Sequence, residues 1–307
     1  MKKILALSNI VTDIIQNISD EHIQQLGFEK GRFHRAEPGQ FEELRKRLGE
    51  GTKIPGGSGA NVVAGAALLG ARTGLIGTLG NDSVGAFYKE DVLNRGIENY
   101  LTEKEGQSGV CHTFISPDGE RTFVLDFGVA LDYDISENYF DDTDIFHTTG
   151  YVLEDAKEAA EKAIGIAKQR NIKISFDLSD PGVISRGGEE LKRITTGSHI
   201  IFANEEEALA FTGKENPREA LDNISKLAEI AIVKLGEKGS LIKRGDEIIE
   251  IPVVPIETLV NTNGAGDAYA AGFLSAYVSG KSLKEAGEQA SEFAARACTS
   301  EGARVSE

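Results

Sequence analysis

Residues 4–7, 73–78, 145–148, 172–177, 200–203 and 230–234 are short apolar runs, and the stretches 61–69, 85–95, 155–170, 205–211 and 217–227 between them carry helical spacing. Strands that are apolar at successive positions must be covered on both faces. A helix between one such strand and the next is what a parallel crossover requires, because the chain must return to the same end of the sheet before pairing again. The pattern therefore predicts an α/β protein with a mostly parallel central sheet flanked by helices on both faces. At 307 residues the chain can bury a sizeable core. It shows no internal repeat, low-complexity tract or Pro/Ser linker, so residues 1–307 are read as a single domain.

Two regions break the alternation. Residues 15–55 hold amphipathic turns punctuated by Gly27, Gly31, Gly39 and Gly51. Residues 109–127, GVCHTFISPDGERTFVLDF, alternate apolar and polar positions on either side of Pro117-Asp118-Gly119, which is the pattern of a β-hairpin. A hairpin inside an α/β chain is most simply a lid, and parts of 15–55 and 109–127 are expected to build one beside the main sheet.

Composition removes several function classes. The 33 Lys+Arg against 49 Asp+Glu give a formal charge of −16, which repels a nucleic-acid backbone. A small anionic ligand is not excluded, since it needs only a local pocket of amides and a metal. Two cysteines, Cys111 and Cys298, make neither a disulfide framework nor a Cys-rich zinc site. The longest near-continuous apolar stretch, residues 62–71, contains two glycines and falls far short of the ~20 residues of a membrane span, so no membrane partner is expected. The opening MKKILALSNIVTDIIQ is interrupted by Asn9, Thr12 and Asp13. It reads as a first strand over residues 3–7 leading into a polar loop rather than as a signal peptide, and a cytoplasmic location is expected.

Four motifs could carry chemistry. In residues 261–280, NTNGAGDAYAAGFLSAYVSG, Gly264-Ala265-Gly266 is followed by Asp267 and a helix rich in small residues. Small residues admit close approach of a ligand, and free amides at a helix start attract an anion. Asp267 would then stand where it can take a proton from an attacking hydroxyl. Read alone, the same residues are equally a Gly-rich loop before a well-packed helix. In residues 54–70, Gly56-Gly57 precede a helix in which Asn61 could present its amide to sugar hydroxyls, although a turn before a core helix is the simpler reading. Asn204-x-x-Glu207 after a strand has the form of a capping box, and could also bring a carboxylate near a metal–phosphate site. In residues 232–242 a strand meets Gly236 and Gly239 before another strand, which reads as a tight turn or, less simply, as a turn that contacts a nucleotide.

Other patterns fail. Gly280-Lys281-Ser282 ends like a Walker A loop, but Ser275 stands where its first glycine belongs, and no G-x-G-x-x-G follows the first strand. His22, His34, His112, His147 and His199 show no metal-ligand spacing. The acidic run Asp141, Asp142, Asp144 reads as a solvated turn.

Taken in order, the four motifs resemble the ribokinase/PfkB family of sugar and nucleoside kinases. The N-G-A-G-D stretch is similar to the family's D-T-x-G-A-G-D signature, residues 56–61 to its Gly-Gly signature, and Asn204–Glu207 to its N-x-x-E motif. The resemblance spans essentially the whole chain, including Asp13 after the first strand. Within the family, the N-terminal third (NISDEHIQQLGFEKGRFHRAEPGQFEELRKRL) and TNGAGDAYAAGFL resemble adenosine kinases.

The resemblance implies a ribokinase-like fold with a small β lid and transfer of the γ-phosphate of ATP to a primary hydroxyl. By that analogy Asp267 is the general base, and the amides of Gly264, Ala265 and Gly266 form the anion hole. Asn204 and Glu207 would organise Mg²⁺ and phosphates through water. Lys234, Gly236, Gly239 and Asn263 would line the ATP site, and Asp13, Gly56, Gly57 and Asn61 would hold the acceptor. Phe114 or Phe123 on the hairpin is a candidate to stack on a purine, with hairpin core packing the simpler reading for either one. Asn261 stands where relatives carry an Asp that helps build a monovalent-cation site, which puts K⁺ activation in question. The chain stops soon after Gly302-Ala303-Arg304, where many relatives continue for another strand or helix. Three functions remain open: a nucleoside kinase with adenosine first, a kinase of ribose, fructose or 2-keto-3-deoxygluconate, and a non-catalytic nucleotide- or sugar-binding regulator. A monomer or a homodimer is expected.

Overall fold

The computed structural model describes residues 2–36, 47–48, 51–300 and 302–305. Gly39, and with it part of the 15–55 region, lies outside them. Strand β1 (Lys3–Leu7) is buried at all five positions. The smaller elements that follow are β2 (Val11–Asn17), α1 (Asp20–Gln25), β3 (Phe33–Arg35) and β4 (Thr52–Pro55). Then come α2 (Ser58–Leu68), β5 (Arg72–Gly80), α3 (Ser83–Asn94), β6 (Glu98–Lys104), β7 (Gly109–Ile115) and β8 (Arg121–Asp126). The second half runs through β9 (Thr143–Thr149), α4 (Gly150–Asp155), α5 (Lys157–Gln169), β10 (Lys173–Asp177), α6 (Pro181–Thr195), β11 (Ser198–Asn204), α7 (Glu205–Thr212) and α8 (Pro217–Ile224). It ends with β12 (Ala228–Lys234), β13 (Ser240–Arg244), β14 (Glu247–Ile251), α9 (Ala265–Val278) and α10 (Leu283–Cys298).

The large sheet has nine strands in the order β14-β13-β12-β11-β10-β9-β1-β5-β6. From β12 to β6 every pairing is parallel, and β13 and β14 add an antiparallel edge. Helices cover both faces, as the sequence pattern requires. Alternate strand residues such as Ile4, Ala6, Ile200 and Ile230 pack with α2, α3, α9 and α10, while Leu5, Leu7, Ile201 and Val233 pack with α4 to α8. The chain leaves β1 toward β5 on one side and later returns to β9 on the other. That reversal opens a crevice at the carboxyl end of β1, the usual place for a ligand in an open α/β sheet.

A second sheet, β3-β8-β7-β2-β4, sits beside this crevice. The 109–127 hairpin is present, with β7 and β8 paired from Val110↔Asp126 to Ile115↔Arg121 and the turn closed by Gly119 at φ +84°. Ile14, Ile23, Phe28, Val110, Phe114 and Val124 form its own small core.

Several elements differ from the sequence expectation. The stretch after β1 is a strand, β2, paired with β7 and β4, because Ile14 and Gln16 turn into the small core while Asp13 and Ile15 turn outward. The single helix expected over 155–170 is broken at Ala156 (φ −141°, ψ 58°), which frees Asp155 from the helix repeat. The edge strand β6 is half-buried and polar and shows no clean period, while α6 buries Val183, Ile184, Leu191 and Ile194 on one face but is kinked at Gly188 (φ 47°). Among the described residues, no helix is long and apolar enough to cross a membrane.

Candidate active site

Helix α9 begins after Gly264, which is held at φ +74° with no side-chain cap. A Cβ there would come within 2.0 Å of the Ala303 carbonyl oxygen, so both backbone conformation and space demand glycine. An uncapped start leaves first-turn amides for an anion, although the Ala265 N–H already donates to the Thr262 carbonyl at 3.2 Å. Asp267 stands in that first turn. Its Oδ1 accepts a hydrogen bond from Ser58 Oγ (2.7 Å) and its Oδ2 from Asn61 Nδ2 (2.9 Å), both from the first turn of α2. Burial pushes its pKa up to about 6, against the lowering effect of those two bonds and of Lys234, with Asp177 adding to the rise.

Lys234 closes the site from behind. At the end of β12, its Nζ pairs with Asp177 Oδ2 at 3.0 Å and lies 3.1 Å from where a Cβ on Gly266 would sit. The ammonium thus fits beneath the loop because residue 266 has no side chain. Burial alone would depress the Lys234 pKa, and Asp177, Glu207 and Asp267 together hold it above its ordinary value. Glu207 is 3% exposed. Its Oε2 accepts from the Asn204 backbone N–H (2.8 Å) and its Oε1 from Asn204 Nδ2 (2.6 Å), while Asn204 Oδ1 accepts from the Glu207 N–H (2.8 Å). The capping box is real, and it also fixes a buried acid beside Asp177 and Lys234. Burial first, and Asp177 second, raise Glu207 to about 7.

Three acids around one lysine leave a surplus of negative charge that a cation would relieve. Among the described residues, no group of three or more His, Cys, Asp or Glu could hold a metal ion by itself. The set fits a Mg²⁺ that arrives on phosphate oxygens and keeps its waters.

The Gly-Gly turn lines the other wall. A Cβ on Gly57 (φ +89°) would meet the Asn9 carbonyl at 2.4 Å, and one on Gly56 would meet Asp13 Oδ2 at 2.8 Å. Burial raises the Asp13 carboxyl to about 6, opposed by Arg304. Through the pairings Asp13↔Ile54, Asp13↔Cys111 and Cys111↔Leu125, Asp13 shares one face of the small sheet with these residues. Thr113↔Phe123 belongs to the same face. Arg35 stands there too, opposite Leu125, and reaches Asp155 at 2.7 Å. Asp155 also accepts from Asn9 Nδ2 at 2.8 Å, so this face looks across the carboxyl ends of β1 and β9.

Phe114 is a correction. It pairs with Gln16 and Thr122 on the opposite face, is fully buried, and packs beside Phe28 and His112 at ring distances of 6.5 and 5.7 Å. Hairpin core packing has claimed it, and of the two candidate aromatics only half-buried Phe123 faces the crevice side.

The turn after β12 holds Gly236 (φ +58°) and Gly239 (φ +87°), and a Cβ on Gly239 would lie 2.0 Å from the Ile251 carbonyl. Packing alone therefore demands Gly239, while Gly236 opens to free space. Buried Asn261 accepts from the Asn263 N–H (2.7 Å) and donates to the Ser300 carbonyl (2.5 Å), so both ends of its amide are spent on holding the loop. Sequence reasoning missed Ser58, Asp177 and Arg304. Asp177 carried a signal, an acid at the carboxyl end of a buried strand, and Ser58 lies inside the Gly-Gly motif. Arg304 carried none.

A family model described as pfkB family carbohydrate kinase matches residues 29–307. The chain belongs to the PfkB family. This PfkB kinase is 31% identical over 246 residues to an Archaeoglobus fulgidus protein described as an uncharacterized sugar kinase, covering 77% of this chain and 95% of the relative. It is 30% identical over 246 residues to a cytidine kinase of Thermococcus kodakarensis, covering 77% and 85%. The crystal structure of adenosine kinase from Sinorhizobium meliloti superposes with a TM-score of 0.87 at 29% identity, covering 99% of this chain and 95% of that one. The fold is accordingly ribokinase-like, and the expectation of a PfkB kinase stands.

Proposed function

We propose that this PfkB kinase moves the γ-phosphate of ATP to the 5′-hydroxyl of a nucleoside, adenosine first. The observation that carries the choice of acceptor is the crevice face of the small sheet. Beside Asp13 it offers Ile15, Ile54, Leu125 and Phe123, an apolar surface suited to a flat base. A sugar acid or phosphosugar needs a cation there. Among the described residues, Arg35 is committed to Asp155, Arg304 to Asp91 and Asn61, and Arg121 stands at the far, turn end of the hairpin. The names of the Sinorhizobium meliloti and Thermococcus kodakarensis relatives support the same class.

In this reading Asp13 takes the ribose hydroxyls, joined by the second Nδ2–H of Asn61 that its bond to Asp267 leaves over, and an acceptor lacking those hydroxyls is rejected because the buried Asp13 carboxyl would be left unpaired. Asp267 takes the proton of the attacking 5′-hydroxyl. The α9 amides and Lys234 meet the charge on the phosphoryl group, and Gly236 and Asn263 border the nucleotide. Glu207 and Asn204 would hold Mg²⁺ through water, where the ion would neutralise phosphate charge. ADP release with Mg·ATP against adenosine, inosine, guanosine, cytidine, ribose, fructose and 2-keto-3-deoxygluconate tests the proposal. Turnover with one or more nucleosides and at least tenfold less with the free sugars is expected; turnover with the sugars or the sugar acid alone would overturn it.

A further inference from the structure

Arg304 enters the site from the far end of the sequence, 243 residues beyond Asn61. Its side chain is 7% exposed. Nε donates to Asn61 Oδ1 (2.9 Å), Nη1 to Asp91 Oδ2 (2.5 Å), and Nη2 to the Tyr88 hydroxyl (3.0 Å) and the Gly56 carbonyl (3.5 Å). The guanidinium also lies over the Tyr88 ring, 5.5 Å from its centroid. Asp91 is shared with Arg95 Nε at 2.9 Å, so the α3 end of the network is pinned from two sides.

Asn61 links this network to the base. The two ends of an amide have nearly the same shape, and only their partners decide which way it points. A guanidinium offers donors alone, so it must face Oδ1, and that leaves Nδ2 directed at Asp267 Oδ2. The reversed amide would set N–H against N–H at Arg304 and carbonyl against carboxylate at Asp267. We infer that Arg304 is a positioning residue that locks the Asn61 amide in the orientation donating to Asp267, so that the carboxylate stays aimed between Ser58 and Asn61. The inference deepens the reading of Asp267 as the base and rests on it.

Two other roles make different predictions. Arg304 could act on Asp267 only through its field, or only pin the C-terminal segment whose Ala303 carbonyl lies against Gly264. The groups facing Asp267 are Ser58 and Asn61 from α2, Asp177 from β10, Lys234 from β12 and Tyr151 from α4; those facing Arg304 are Asp91 and Tyr88 from α3, Asp13 from β2 and Asn61. Of these, Asn61 alone touches both, so it is the residue whose removal separates the roles.

The test follows the Asp267 carboxyl by ¹³C NMR titration of aspartate-labelled protein, its signal identified by loss in Asp267→Asn. This needs no acceptor. Arg304→Met is expected to move the midpoint up by about one unit, the scale of one charged hydrogen bond. In an Asn61→Ala background the same substitution is expected to move it no further. An unchanged midpoint in Arg304→Met overturns the inference and leaves the pinning role. An equal shift in both backgrounds overturns it in favour of the field. Arg304→Gln offers an acceptor as well as donors, so it no longer forces Oδ1 toward itself, and it serves if the Met variant does not fold; it is expected to show the same rise, and a wild-type midpoint would contradict the lock. Failure of the base reading itself would show separately, as full turnover by Asp267→Asn.

Discussion

Asp267 is held in a state that costs the fold something. Its carboxyl titrates near 6 in the folded protein because burial opposes the charge, and Asp13 (about 6) and Glu207 (about 7) are raised for the same first reason. A carboxyl whose folded pKa is raised stabilises the fold below its unfolded pKa, near 4, and loses that contribution as pH rises through the folded value. At neutral pH the ionised Asp267 is therefore a liability, of order 1–3 kcal/mol. Asp267→Asn is predicted to raise the melting temperature of the ligand-free protein at pH 7.5, with the gain closing below about pH 4, while lowering kcat by ~10²-fold or more. Wild-type turnover should fall as pH drops through about 6, as the base is protonated. Melting curves at the two pH values and a pH–rate profile check these outcomes; a variant that melts lower at pH 7.5 would contradict the account of the carboxyl.

At the scale of elements, the hairpin separates two phenylalanines nine residues apart by the parity of its pairing. Phe114 is core and Phe123 faces the crevice. Phe114→Ala is expected to cost about 3–5 kcal/mol of stability, as cavity-forming Phe substitutions do. Phe123→Ala is expected to leave the melting temperature within a few degrees and raise KM for the nucleoside about tenfold. Denaturant melts and acceptor kinetics on the pair decide it; equal KM effects would mean the face assignment is wrong. The hairpin itself was legible, because Pro117-Asp118-Gly119 and period-two alternation are local signals. So was the Asn204/Glu207 cap. The strand β2 was not, because its outward polar residue, Asp13, is the acceptor-side candidate and breaks the apolar pattern that would announce a strand. The break at Ala156 was hidden because helical spacing continues across it, and its cause is tertiary: Asp155 is engaged by Arg35 and Asn9.

At the scale of the whole molecule, a parallel sheet with a reversal at β1 brings the ends of several separate segments to one crevice. Asp13 follows β1, Asn61 and Ser58 begin α2, Asp177 ends β10, Asn204 ends β11, Lys234 ends β12, and Asp267 begins α9. Sequence pattern shows each segment and its ends, which is why Asn61, Asn204 and Asp267 stand out from the residues themselves, while Asp13 and Lys234 come in only through the family resemblance. It does not show which distant side chains meet, so the Lys234–Asp177 pair and the Arg304–Asn61 bond appear only in three dimensions. The net charge of −16 does not decide the matter for a phosphate ligand, because the field at the α9 end is local: its amides and Lys234 face Asp177, Glu207 and Asp267, whose surplus negative charge a cation would relieve. Asp267-dependent transfer to a nucleoside 5′-oxygen is tested by ³¹P NMR with mass spectrometry of the products formed from Mg·ATP and adenosine. Adenosine 5′-monophosphate is expected to form one-for-one with ADP in the wild-type protein and at least ~10²-fold more slowly in Asp267→Asn. Phosphate on another oxygen, ADP without phosphorylated nucleoside, or equal rates for the two proteins would contradict it.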